Sequence, residues 1–124
     1  MAFRFEELKV WQIAADLSNE IDRMAKTFPR EERFSLASQL KRAADSVVLN
    51  IAEGSTGQST AEFRRFLNYS LRSAVEVVAC LYLARKRNYI DEPAYRKLYQ
   101  EYEILCKMIT SLRNSLKGIK NTKQ

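Results

Sequence analysis

Apolar residues recur along most of this chain at alternating intervals of three and four, the period of one face of an α-helix. Leu8, Trp11, Ala14, Leu17, Ile21 and Met24 predict a first helix over Glu6 to Lys26, with acids in its first turn to meet the helix dipole. Phe28-Pro29 ends it, because the proline ring disfavours helical geometry at the preceding residue. Glu31-Glu32 opens a short turn, and Phe28 and Phe34 are expected to plug that end of the core. Leu36, Leu40, Ala43, Ala44, Val47 and Ile51 place a second helix that starts near Ser35 or Leu36 and reaches Glu53, with Gly54 as its left-handed C-cap.

Ser55-Thr56-Gly57-Gln58 is short enough to force an antiparallel return. Ser59 with Glu62 reads as a capping box for a third helix, which carries Phe63, Leu67, Leu71, Ala74, Val78 and Leu81 to about Arg87. Asp91 caps a fourth helix and Pro93 fits its first turn, followed by Tyr95, Leu98, Tyr102, Leu105, Ile109, Leu112 and Leu116. No stretch alternates with period two. The expected fold is all-α: an antiparallel up-down-up-down four-helix bundle over residues 1–118, followed by a basic flexible tail at 119–124. At 124 residues with three Gly and two Pro, the chain reads as one loop-poor domain that needs no metal or disulfide to fold.

Composition removes several kinds of chemistry. The chain has no His, which excludes the Glu-x-x-His pairs of di-iron bundles and the usual general base. It has no phosphate-binding glycine loop, no nucleophile elbow and no paired-Cys motif. No catalytic residue, metal site or cofactor is expected; an enzyme would have to use Glu53, Glu62 or Glu76 in a closed pocket that raises their pKa. Cys80 and Cys106 sit out of register at apolar helical positions and read as core thiols. Glu6, Glu7 and Lys9 interrupt any apolar leader, and the run Ala74–Ala84 contains Glu76 and is too short to span a bilayer, so a cytoplasmic protein without membrane contact is expected.

Two surfaces stand out beyond the core. Gln39, Arg42, Ser46, Asn50 and Glu53 step by three, four, four and three, forming a polar row beside the apolar face of the second helix, while Lys41 and Asp45 point away. The facing flank of the third helix is polar too, with Glu62, Tyr69, Ser73 and Glu76. Gln39, Arg42, Ser46, Asn50, Glu53, Ser73 and Glu76 are therefore expected to form a register-setting seam that includes an Arg42–Glu76 ion pair, with Glu53 near Glu62 at the loop end. Phe63, Phe66, Leu67, Leu71, Val75, Val77, Val78 and Tyr82 cover about half the circumference of the third helix, more than the ~100° one seam needs. With Val48 and Leu49 they suggest that these helices also face another subunit.

Charge supplies the second surface. The net +6 is uneven: residues 1–58 hold eight basic and nine acidic side chains, and residues 59–124 hold thirteen and six. An anionic partner follows, nucleic acid ahead of membrane. Arg64, Arg65, Arg72, Arg85, Lys86 and Arg87 on the third helix and Arg96, Lys107, Arg113, Lys117 and Lys120 on the fourth are the candidate phosphate contacts, with Tyr99 as a stacking residue. Tyr95 and Tyr102 fit the core repeat, and Trp11 reads as packing.

The chain then resembles a known family. Leu8-x-x-Trp11-Gln12, Phe28-Pro29-x-x-Glu32, Gln39-Leu40-x-Arg42-Ala43, Ser46, Asn50-Ile51-Ala52-Glu53-Gly54 and Ser73-x-x-Glu76 are similar to the ribosomal-protein-like four-helix-bundle proteins encoded in intervening sequences of bacterial 23S rRNA genes. A more distant resemblance is to the accessory variability protein of diversity-generating retroelements, which works beside a reverse transcriptase. The resemblance implies a ring-shaped homopentamer with a basic surface and a role in nucleic-acid binding, RNA ahead of DNA, and it names no catalytic residue. The alternative is a protein-interaction scaffold or adaptor, for example beside a polymerase, whose contact with nucleic acid is incidental.

Overall fold

The computed structural model describes residues 2–57 and 59–122, with side chains described as far as Leu116. Four helices, α1 (Lys9–Ala25), α2 (Leu36–Gly54), α3 (Thr60–Lys86) and α4 (Glu92–Thr122), form the bundle, with short 3-10 turns at Arg4–Glu7 and Arg30–Glu32. No strand is present among the described residues. The tightest partnership is α2 with α3, followed by α3 with α4 and α1 with α2, and α1 closes weakly on α4. Side chains of 117–124 lie outside the described residues, so Lys117, Lys120 and the expected tail have no structural account.

The three-four repeat locates the core. Every residue assigned to the apolar face of α2 is buried, as are Ala14, Leu17 and Ile21 of α1 and Leu98, Tyr102, Leu105, Ile109 and Leu116 of α4. Leu8, Trp11, Met24, Tyr95 and Leu112 are half-buried at its edge, and Trp11 packs on Phe5 with ring centroids 4.7 Å apart. On α3 the buried stripe is Phe63, Leu67, Ser70, Ala74, Val77 and Leu81, rotated slightly from the expected one, so Leu71 and Val78 are only half-buried. Ser70 is tolerated in the core because its hydroxyl donates to the Val47 carbonyl at 2.9 Å, tying α3 to the backbone of α2.

Side-chain N-caps start α3 and α4 only; α1 begins after Leu8 and α2 after Ser35 without one. Glu6 and Glu7 lie in the 3-10 turn before α1, not in its first turn as expected. The Ser59 hydroxyl accepts from the Glu62 amide at 3.0 Å, but the Glu62 carboxylate turns to Arg65, so only half of the capping box forms. Asp91 accepts from the Ala94 amide at 2.9 Å as a plain N-cap. Gly54 is not the expected left-handed cap. It lies within α2, and a Cβ there would stand 2.7 Å from the Phe66 Cβ and 3.0 Å from the Phe63 ring, so glycine serves close helix approach. Among the described residues the left-handed ones are Gly57 at φ +89° and Asn88 at φ +62°. Asn88 closes α3 in a Schellman motif, with Tyr89 N–H on the Ala84 carbonyl at 2.9 Å and Asn88 N–H on that of Arg85 at 3.0 Å.

Phe28 plugs the α1–α2 end as expected, its ring centre 5.3 Å from that of Tyr89. Phe34 does not: it is 88% exposed, because the 3-10 turn points it outward while Leu36 takes the core position. Cys80 is buried, Cys106 is half-buried and both are free; burial raises the pKa of each thiol. Among the described residues no helix is long and apolar enough to cross a membrane.

Candidate nucleic-acid interface

The polar row of α2 meets α3 and closes on itself. Ser73 Oγ donates to Ser46 Oγ at 2.9 Å, and the Asn50 amide donates to both the Ser46 carbonyl and its hydroxyl, at 2.9 and 3.0 Å. Gln39 Nε2 reaches Glu76 Oε2 at 3.2 Å. Arg42 does not pair with Glu76: it is exposed and has no ion pair among the described residues. The Gln39 amide already holds that carboxylate, and an exposed arginine gains little from an ion pair that must order its long side chain. The exposed Glu53 carboxylate has no hydrogen-bond or ion-pair partner among the described residues, and that of Glu62 is held by Arg65. Nor do Lys41 and Asp45 stand apart; Lys41 pairs with Asp22 at 3.1 Å and Asp45 accepts from Ser18 at 2.6 Å, which joins α2 to α1.

The basic residues of α3 and α4 divide into two groups. At the α3–α4 turn the charges are largely neutralised: Arg85 and Arg96 each lie 3.2 Å from Glu92, and Arg87 lies 3.2 Å from Glu32. The Arg85 guanidinium also stacks 4.1 Å from the Tyr95 ring centre, and Lys86 sits 5.8 Å from that of Tyr82. Arg65 is held by Glu62 at 3.1 Å, and Arg64 is half-buried with its Nε unpartnered. The carboxylates against Arg85, Arg87 and Arg96 lower the positive potential of the α3–α4 turn, and Glu62 does the same for Arg65 at the start of α3.

Further along, the second group faces a groove. Arg72 falls on the same stripe of α3 as Asn68, Val75 and Ala79, and Lys107 follows Glu103 and Tyr99 at steps of four on α4. Val75, Ala79, Tyr99 and Glu103 line an apolar groove of about 390 Å³ between the two helices. Beyond it, Arg113 joins α4 to α3 by donating to Asn68 Oδ1 at 2.9 Å. Among the described residues, Arg72, Lys107 and Arg113 have no carboxylate within 4.0 Å. Glu103 is the acid at this groove. Tyr99 is exposed and packs at a tilt near Tyr95, whereas the Tyr102 hydroxyl is buried without a partner and burial raises its pKa.

Two features at the opposite corner escaped the periodicity. Glu32 accepts from Ser35 at 2.7 Å, from the Tyr89 hydroxyl at 2.7 Å and from the Leu36 amide at 3.3 Å, besides Arg87. The Ser35 and Tyr89 hydroxyls lead in holding its carboxyl well below the usual carboxylate range, to about 2. It thereby clips the α1–α2 connection to the α3–α4 turn, a link between residues 57 apart in sequence. Beside it, Lys26, Arg30, Arg33 and Lys41 line a common pocket. They stand on three different segments, the end of α1, the 3-10 turn and α2, so only the tertiary arrangement brings them together.

Residues 6–111 match the family model for the 23S rRNA-intervening sequence protein, and the chain belongs to that family. Its fold is similar to the crystal structure of a protein of unknown function from the S23 ribosomal protein family of Bacteroides thetaiotaomicron VPI-5482. The two are 26% identical with a TM-score of 0.78, and the likeness covers 84% of this chain and 97% of the other. No curated protein matches.

Proposed function

We propose that this member of the family acts by binding and not by catalysis: a cytoplasmic homo-oligomer whose α3–α4 face holds the phosphates of nucleic acid, RNA ahead of DNA. The observation that carries it is the set Arg72, Lys107 and Arg113, three cations on α3 and α4 with no carboxylate within 4.0 Å among the described residues. Cations left without an internal acid keep their full attraction for an external anion, and each phosphate they neutralise releases condensed counterions. Nothing in such contacts reads base edges, so sequence preference is slight. Tyr99, exposed on the α3–α4 groove, offers a stacking surface.

Assembly multiplies the effect. Leu49 is 63% exposed and Ile104 56%, apolar surface of the kind that packs between subunits. The family resemblance favours a ring of five, and a ring repeats each weak phosphate contact so that avidity exceeds the affinity of one site. Light scattering of the purified protein with and without RNA tests both parts. The expected result is a multiple of the 14.4 kDa chain mass that gains RNA at low salt; a monomer that ignores RNA would end the reading.

The scaffold reading draws on the same groove, whose lining between the cations is mostly apolar. A partner captured through high salt and nuclease treatment would favour it.

A further inference from the structure

A second cationic site lies at the α1–α2 corner, and its origin is local. Residues Arg30–Glu32 form a 3-10 turn, in which side chains three apart eclipse one another, so Arg30 and Arg33 fall on the same side. Glu32 is drawn away from them to Ser35, Tyr89 and Arg87, and Glu31 is exposed outside the pocket lining. The turn therefore separates an alternating sequence, Arg-Glu-Glu-Arg, into a basic side and an acidic side.

The basic side opens on a pocket of about 440 Å³, where Arg30 and Arg33 join Lys26 and Lys41 over a floor that includes Phe28 and Pro29. Asp22 answers both lysines, at 3.0 Å from Lys26 and 3.1 Å from Lys41, and steadies them on the rim. The lysines in turn hold the Asp22 carboxyl below its ordinary pKa. Among the described residues Arg30 and Arg33 have no carboxylate within 4.0 Å. Four cations set against one acid leave a concave surplus of positive charge. Ala37, in the first turn of α2, also lines the pocket and brings the positive end of that helix's dipole to it. Next to it stands Phe34, 88% exposed, with the Arg33 guanidinium 5.6 Å from its ring centre. An aromatic face held open beside an arginine pair matches a nucleotide, whose phosphate suits guanidinium and whose base suits a ring.

We propose that this corner pocket seats a phosphate of single-stranded nucleic acid on Arg30 and Arg33, with the adjoining base stacked on Phe34. A single strand is required because a duplex keeps its bases stacked inside. The proposal rests on the nucleic-acid reading above but places a contact on a different face, outside α3 and α4, and gives it a preference for unpaired strands.

Fluorescence anisotropy with a short labelled single-stranded RNA and its duplex tests it on the full chain. The double variant Arg30→Ala/Arg33→Ala is expected to bind the single strand about tenfold more weakly. It is also expected to flatten the slope of log affinity against log salt by about 0.7, the value for one single-strand phosphate no longer neutralised. Phe34→Ala is expected to weaken single-strand binding about tenfold and leave duplex binding unchanged. If these variants bind like the wild type while Arg72→Glu/Lys107→Glu loses binding, the pocket is overturned and the α3–α4 reading stands. If the wild type binds neither RNA, both fall. A drop in assembly mass for Phe34→Ala would assign that ring to a second copy and overturn the stacking.

Discussion

The α2–α3 seam and the α3–α4 groove lie on opposite flanks of the same helix and are built on opposite principles. In the seam, Ser46, Asn50, Ser70 and Ser73 each find a partner inside the chain, and Gly54 allows the backbones to close on Phe63 and Phe66. In the groove, Arg72 and Lys107 find none among the described residues. Polar groups satisfied internally contribute architecture, since they have no free valence for a ligand. Charges left open contribute affinity and little stability. Asn50 and Gly54 belong to the first kind: the Asn50 amide is held by Ser46, and Gly54 leaves room for Phe63 and Phe66.

The seam is most vulnerable at Gly54. Gly54→Val places side-chain atoms where even a Cβ would be 2.7 Å from Phe66, and overpacking of that kind costs about 3 kcal/mol, read as a fall in the denaturation midpoint. A seam that tolerated valine would not be tightly closed. Ser70→Ala removes the buried hydroxyl from the Val47 carbonyl and is expected to cost about 1 kcal/mol by the same measurement.

Four helices and most of the core were legible because a repeat of three and four needs only sequence to be seen. What the repeat missed depends on how elements meet. Phe34 follows the turn and not a helix, so its apolar character pointed to the wrong side. Gly54 looks like a cap from the chain and like a spacer only once Phe66 is placed against it. Gln39, one turn before Arg42 on α2, is the residue that reaches the Glu76 carboxylate. The basic residues of α3 and α4 could be counted in the sequence; which of them an acid had already answered could not, since Glu92 lies in the helix after Arg85 and Glu32 lies 55 residues before Arg87. Arg30 and Arg33 stand three apart, a spacing any helical turn aligns, but the pocket they share with Lys41 exists only once α2 packs beside the turn.

Acid acts on the Glu32 clip. Its folded pKa of about 2 lies below the ordinary glutamate value of 4.5, so its contribution is fully present above pH ~4.5 and fades as pH falls toward 2. Glu32→Gln, which cannot titrate, is expected to lose less stability than the wild type across that window; parallel acid curves would remove the clip. The smallest effect belongs to Arg42→Met. With no ion pair to lose, it is expected to stay within ~0.5 kcal/mol of the wild type and to keep its assembly. A larger loss would restore Arg42 to the seam.

The proposed function requires that open cations on the α3–α4 groove bind phosphate while the seam beside them does not. A salt titration of RNA binding separates the two, comparing the wild type with Arg72→Glu/Lys107→Glu and with Ser46→Ala/Ser73→Ala. The expected result is a steep linear fall of log affinity with log salt for the wild type and the serine variant, with the charge-reversed protein bound at least about tenfold more weakly and with a flatter slope. Equal slopes for all three proteins, or no binding by the wild type at low salt, would contradict it.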